Sequence, residues 1–343
     1  MRILKQLSEA IGVSGAEGEV RAVITRLVTP YVDEVRVDSM GNVFAYKKGT
    51  GTRRLTVMVD AHMDEVGLMV TGHDSSGMLK VAAIGGLDER ILPGKRVLVG
   101  PKRLPGVIGG KPVHKLSGNE ASSVVRLEAL RVDIGVSSKS EAEGKAPLGT
   151  RIAFESAFMD LGTRVRGRAF DDRAGCAVLV HLLQGDRLPH DLVGTFTVQE
   201  EVGLRGAKIA ASAIGPDAAF VLEGTIADDL PKENDESPTT ELGKGPALSV
   251  LDRSVIYDRR LNALLIETAQ ALGIPYQFKQ PGIGGTNAGS INLSGVGVPV
   301  AAVSVPCRYI HSPAAMLSKS DYRSAIRLVR AALERLDREV LAR

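Results

Sequence analysis

The sequence predicts an α/β protein, with a mixed, mostly parallel sheet flanked by helices and a small β-barrel-like unit inserted into it. Three observations carry that expectation. Short, nearly uninterrupted apolar runs, Leu55–Asp60, Leu192–Val198, Ala218–Leu222 and Val300–Val305, have the length and residue types of strands buried on both faces. Segments of helical period alternate with them. Between about Leu68 and Gly162 the texture changes to brief Val/Ile/Leu-rich pieces punctuated by Gly and Pro, as in an all-β unit. At 343 residues, with 44% hydrophobic and 24% charged residues, the chain can bury a large core in an ordinary globular composition.

Taken in order, residues 1–30 read as two helices broken by Gly12-Val13-Ser14-Gly15. The second begins near Ala16 with Val20, Ile24, Leu27 and Val28 on one face. Tyr31–Tyr46 alternates as two strands around a Met40-Gly41-Asn42 turn. Leu55–Asp60 leads directly into Ala61-His62-Met63-Asp64-Glu65-Val66-Gly67, a polar cluster just past a buried strand, where open α/β sheets hold ligands. The Gly/Pro-rich stretch 68–162 follows, with a weak helical period over Leu116–Leu130. No Pro/Ser-rich spacer flanks it, so it is expected as an insertion into a unit formed by 1–67 and 163–343. Asp171-Asp172 then opens a helix over Ala174–Leu183, and Tyr257–Leu272 and Ser320–Leu341 are expected as amphipathic helices.

Several function classes drop out on composition. A net charge of +3 with no Lys/Arg block or basic stripe gives no nucleic-acid signal. No apolar run approaches the roughly 20 residues of a membrane span, and Met1-Arg2-Ile3-Leu4-Lys5 leads into no signal-like apolar stretch. A cytoplasmic location is therefore expected, with Cys176 and Cys307 as buried, reduced thiols.

The chemistry gathers at the ends of the apolar runs. His62 and Asp64 follow the first, Glu200 and Glu201 the second, Glu223 the third and His311 the fourth, while Asp171-Asp172 opens a helix. If the strands are neighbours, these side chains converge on one crevice. Singly, each has a plainer reading: His62 as a core histidine, Asp171 as a helix cap, Glu223 as a solvated carboxylate. Jointly those readings are poor, because every residue must fall at a strand end. Two imidazoles and three carboxylates form an N/O ligand set suited to Zn²⁺, Co²⁺ or Mn²⁺ rather than Ca²⁺. Side chains alternate along a strand, so Glu200 and Glu201 should diverge, leaving Glu200 free as a general base. His73, His114, His181 and His190 lie away from strand ends and take no role.

The motifs Ala-His62-Met-Asp64-Glu65-Val-Gly, Phe170-Asp171-Asp172-Arg173-Ala-Gly175-Cys176, Gln-Glu200-Glu201-Val-Gly203, Leu222-Glu223-Gly and Arg308-Tyr309-Ile-His311-Ser-Pro resemble those of the tetrahedral (TET) aminopeptidases. That family includes glutamyl and deblocking aminopeptidases and proteins once labelled endoglucanase M, within the co-catalytic zinc exopeptidases. The likeness covers nearly the whole chain, Ser117-Gly118-Asn119-Glu120 included. It implies a zinc-exopeptidase-like fold and two divalent ions, zinc or cobalt first and manganese next, bridged by Asp171. His62 and Glu223 would complete one site, and Glu201 and His311 the other. It further implies Asp64 as the residue that orients His62, Glu200 as base and acid, and peptides as substrates. Dimers formed through the inserted barrel would assemble into a homododecamer. Two positions depart from the usual pattern: Glu223, where many relatives carry Asp, and Asn287 in Gly284-Gly285-Thr286-Asn287-Ala288-Gly289, where Asp is usual.

Two other readings compete with the peptidase. A glycoside hydrolase needs paired carboxylates about 5 Å apart and no metal, and a chain without Trp lacks the usual sugar-stacking surface. A silent metal-binding scaffold would have no need of the free carboxylate of Glu200.

Overall fold

The computed structural model describes residues 1–115, 117–118, 122–230 and 237–342. The chain begins with helices α1 (Arg2–Glu9) and α2 (Gly18–Val28), followed by strands β1 (Glu34–Val37), β2 (Val43–Lys47) and β3 (Thr56–His62). Strands β4 (Gly67–His73), β5 (Leu79–Ile84), β6 (Arg96–Val99), β7 (Leu104–Gly109) and β8 (Arg131–Asp133), helix α3 (Lys139–Lys145) and strand β9 (Arg151–Phe154) come next. The chain continues through β10 (Met159–Leu161), β11 (Arg164–Gly167), α4 (Phe170–Gln184), β12 (Asp191–Thr197), α5 (Arg205–Ile214) and β13 (Ala218–Ile226). It closes with β14 (Ala247–Leu248), α6 (Arg259–Ala271), β15 (Gln277–Phe278), α7 (Asn287–Asn292), β16 (Val300–Arg308), β17 (Ala315–Ser318), α8 (Lys319–Arg335) and α9 (Arg338–Leu341).

The expected fold class is what forms. An 11-stranded sheet runs β1-β2-β12-β3-β13-β16-β17-β11-β10, with β14 on β16 and β15 on β14. Its centre, β12-β3-β13-β16, is parallel throughout. Alternation along these strands supplies two cores. Val57, Val59, Phe220 and Leu222 face a layer containing α1, α2, α4, α6 and α8. Met58, Ala219 and Val221 face α5 and α7. Parallel strands covered on both faces must be apolar on both, which is why these runs hardly alternate in sequence. Strands β4-β5-β8-β7-β6-β9 close a separate antiparallel barrel around Leu68, Val70, Val97, Ile108, Val132 and Ile152.

Some boundaries differ from expectation. β3 runs on through His62, and β13 runs through Glu223 to Ile226, because β16 pairs with it as far as Ile226↔Cys307. Glu223 therefore stands inside a strand, not past its end. The expected helix over Ser320–Leu341 is split: Leu336 turns extended and Asp337 caps a second helix by accepting from Val340 N at 2.8 Å. Of the helical period over Leu116–Leu130, Leu127–Ala129 forms a 3-10 turn and Ser122–Arg126, poor in helix formers, is irregular. Residues 116 and 119–121 of that expectation lie outside the described residues. Among the described residues, no helix is long and apolar enough to cross a membrane.

Candidate metal centre

Because β12, β3, β13 and β16 are parallel neighbours, their C-terminal ends open on one crevice. His62, the last residue of β3, is buried with Nε2 3.3 Å from Asp171 Oδ1 and 3.6 Å from Glu223 Oε2. On the other side of Asp171, Oδ2 lies 3.4 Å from His311 Nε2, which is in turn 3.2 Å from Glu201 Oε1. Two ligand groups thus share one carboxylate: His62, Asp171 and Glu223, and Asp171, Glu201 and His311.

Local backbone geometry delivers each side chain. Asp171 opens α4 with non-helical φ −85°, ψ 105°, just after Ala169 at φ 53°. Gly224, beside Glu223, allows this approach, since a Cβ there would stand 2.8 Å from the Asp171 Cα. His311 is turned into the crevice by a tight turn after β16 in which both Tyr309 (φ 59°) and His311 (φ 56°) are left-handed. Ala169, Gln199, Leu204, Tyr309 and His311, five of the six described non-glycine residues at positive φ, flank this crevice or its supporting turns.

Glu200 and Glu201 diverge, but not by strand alternation. β12 ends at Thr197, and the pair sits in a turn entered through left-handed Gln199 (φ 57°). Asp64 builds that turn: its Oδ1 accepts from Glu200 N at 2.9 Å and its Oδ2 from Glu201 N at 3.2 Å. Ser14 Oγ also donates to Asp64 Oδ2, at 2.7 Å. Glu201 then reaches His311, while Glu200 stays outside both ligand groups with Oε2 4.0 Å from His62 Nε2. His62 Nδ1 hydrogen-bonds the Asp64 carbonyl oxygen at 3.2 Å and lies 3.4 Å from Asp64 Oδ1, so this one buried residue orients both the imidazole and the glutamate turn.

The donors fit divalent ions. Ligands about 2.0–2.1 Å from a tetrahedral ion stand about 3.3 Å apart, close to the four separations of 3.2–3.6 Å measured here. Glu223 Oε1 is buried with no hydrogen-bond partner, as expected of an oxygen arranged for something other than protein. The electrostatics agree. Burial pushes the Glu200 carboxyl up to about 8, with Glu201, Asp171 and Asp64 adding to the effect and His62 opposing it. Burial and the charge of Asp172 hold Glu223 well above the usual carboxylate range. Burial alone would lower His311, but Asp171 and Glu201 raise it to about 11. So much acid in so little water calls for nearby positive charge.

All seven residues singled out from sequence, His62, Asp64, Asp171, Glu200, Glu201, Glu223 and His311, meet in this cluster. His73, His181 and His190 lie elsewhere: His73 Nε2 bonds Ala146 O, His190 Nε2 bonds Leu336 O, and His181 packs on Tyr322. Cys176 and Cys307 are free and buried. Sequence reasoning missed the support beneath. Asp172 accepts from His62 N at 3.1 Å. Asn287 Nδ2 bridges Asp60 Oδ2 (2.8 Å) and Thr197 Oγ1 (2.9 Å) under the crevice floor. The donor amide at 287 thus suits a neighbour that already supplies the carboxylate. The buried Asp60, on β3, meets Asn287 only where α7 packs on the sheet, a contact that no local pattern announces.

Comparison with known proteins identifies the chain's relatives. The M42 glutamyl aminopeptidase family matches residues 41–328. The TET aminopeptidase structure from a marine-sediment Thaumarchaeota archaeon is 39% identical, with a TM-score of 0.94 over 99% of this chain and 97% of that one. The TET1 peptidase of Pyrococcus horikoshii, described as assembling into a tetrahedron or a large octahedral shell, is 33% identical, with a TM-score of 0.85 over 98% and 99%. The lysyl aminopeptidase of Pyrococcus furiosus is 34% identical over 97% of this chain and 96% of its own length.

Proposed function

The chain belongs to the M42 glutamyl aminopeptidase family and is a metal-dependent aminopeptidase; from that premise we propose how its own residues carry out the reaction. Two divalent ions, zinc or cobalt with manganese as the next candidate, are held by His62, Asp171 and Glu223 on one side and by Asp171, Glu201 and His311 on the other. The observation that carries this reading is the shared Asp171, whose two oxygens face two different histidines. Bound there, the ions supply an acidified water and positive charge for the developing oxyanion.

The remaining work falls to side chains. Glu200, outside both ligand groups, takes the proton of the attacking water and returns it to the leaving amine. Asp64 holds the His62 ring through Nδ1, so that Nε2 presents its lone pair to the crevice. The Asp64 carboxylate keeps Glu200 and Glu201 apart by accepting from both of their N–H groups. Residues 1–67 and 163–343 form the catalytic unit. The insertion 68–162 is the dimerisation element, apart from β10, which hydrogen-bonds into the large sheet. Dimers assemble into a tetrahedral dodecamer, as the tetrahedron named for the Pyrococcus horikoshii relative suggests. The buried, unpaired thiols fit a reducing cytoplasm.

Hydrolysis of aminoacyl-p-nitroanilides tests the reading. Activity should vanish on chelation and return with Zn²⁺ or Co²⁺. Activity that survives complete chelation would instead fit a metal-free two-carboxylate hydrolase. A lysyl name on one relative and a glutamyl description of the family leave the preferred N-terminal residue to the pocket itself.

A further inference from the structure

The break between α1 and α2, Gly12-Val13-Ser14-Gly15, supplies no ligand or base, yet it lies against Asp64. Ser14 is 3% exposed, and each of its polar groups is committed. Its N–H donates to Glu65 O at 3.3 Å, and its carbonyl accepts from Nε of Arg151, on barrel strand β9, at 2.9 Å. Its hydroxyl donates to Asp64 Oδ2 at 2.7 Å. Glu65 N in turn donates to Gly12 O at 3.0 Å, so two backbone bonds tie the loop to the segment that follows β3.

Hydrogen bonds carry much of this fixing, because open space adjoins the loop. A second cavity of about 790 Å³, sharing no lining residue with the metal crevice, borders the loop at Gly15 and Glu17 and the glutamate turn at Gln199. Within that turn the two glutamates are held unequally. Glu201 belongs to a ligand group, so a bound ion would anchor its side chain. Glu200 lies outside both groups, and its main chain is tied to Asp64 by N–H donation to Oδ1 at 2.9 Å. The torsion that turns a carboxylate about its own stem is soft. The bond from Ser14 to Oδ2 restrains that rotation and with it the place of Oδ1.

We propose that Ser14 is a positioning residue for the general base: acting through Asp64, it sets where Glu200 stands in the crevice. This rests on the aminopeptidase reading and adds to it a residue from outside the metal cluster.

Steady-state kinetics of the metal-reconstituted protein test it, on the best substrate of a panel of aminoacyl-p-nitroanilides. Ser14→Ala should lower kcat roughly 10- to 100-fold, the range for loss of an outer-shell partner, while KM and bound metal stay close to native. A second measurement separates positioning from general loosening. Added to Glu200→Gln, Ser14→Ala should lower kcat little further, because both substitutions act on one group. Losses that multiply in full would show that Ser14 does not act through Glu200, and would overturn the proposal. A native kcat in Ser14→Ala, or a loss carried by KM or by metal content, overturns it as well. Should Ser14→Ala not fold, Ser14→Cys keeps the shape with a weaker donor. It should then show a smaller kcat loss, with metal retained and the loss hidden by Glu200→Gln; a native kcat or full multiplication again overturns the proposal. Native protein that hydrolyses none of the panel, with metal supplied, overturns the aminopeptidase reading and the proposal with it.

Discussion

Asp64 and Glu65 are consecutive and both buried, yet they belong to charge clusters balanced in opposite ways. Glu65 accepts from Gly12 N at 2.8 Å and pairs with Arg168 and Arg173. The two guanidiniums also bind the carbonyls of Leu7, Ala10 and Met63. Every charge there is answered within the chain, and the result ties α1 to the root of the barrel. Asp64 turns the other way, into a group in which, among the described residues, Asp171, Glu200, Glu201 and Glu223 face two imidazoles. Burial of charge by itself does not mark a functional site. What marks this one is that its acid exceeds the cations the chain supplies.

That contrast can be broken experimentally. The largest effect is expected from the unbalanced side: Asp171→Ala removes the carboxylate common to both groups, and activity should fall to background with bound metal lost. Normal metal content in that variant would contradict the assignment. On the balanced side, Glu65→Ala leaves two buried guanidiniums unpaired and should cost about 3–5 kcal/mol in urea unfolding. Glu223→Gln in chelated protein should instead be neutral or stabilising, because it relieves repulsion. Equal losses in the two variants would erase the distinction. Glu200→Gln should retain metal and fold while losing at least ~100-fold in turnover, the lower range for general acid–base catalysis; near-native kcat would remove Glu200 from the chemistry.

The smallest effect concerns a balanced pair at the rim. Arg308 binds Asp229 through Nε (2.6 Å) and Nη2 (2.9 Å). Burial pushes the Asp229 carboxyl up, but the guanidinium fork outweighs it and holds the group below its ordinary value. A carboxylate depressed in the folded state stabilises it above the unfolded pKa, near ~4. That contribution fades as pH falls through the lower folded value. In chelated protein, the stability gap between native and Asp229→Asn should therefore be full at neutral pH and shrink with acidification below pH ~4. A gap constant with pH would show that the pair contributes nothing through charge.

Much of this was legible in the sequence because apolar runs and their polar terminators are local signals. Leu55–Asp60, Leu192–Val198 and Val300–Val305 announced β3, β12 and β16, and the residues after them announced the ligand groups. The inserted barrel was legible from its Gly/Pro punctuation. What stayed hidden depended on contacts between segments distant in sequence. Glu200 and Glu201 diverge through a left-handed Gln199 and two N–H bonds to Asp64, which lies 136 positions before Glu200. Pairing with β16 carries β13 past Glu223. Asp60 and Asn287, separated by 227 positions, meet only once β3 and α7 are packed.

The most direct test of the account is the metal content of purified native protein, measured by inductively coupled plasma mass spectrometry after reconstitution and removal of loosely bound ions. Two divalent ions per chain are predicted, falling in His311→Ala and in Asp171→Ala. A native stoichiometry of one or none, or a value of two that Asp171→Ala leaves unchanged, would contradict the claim that Asp171 joins two metal sites.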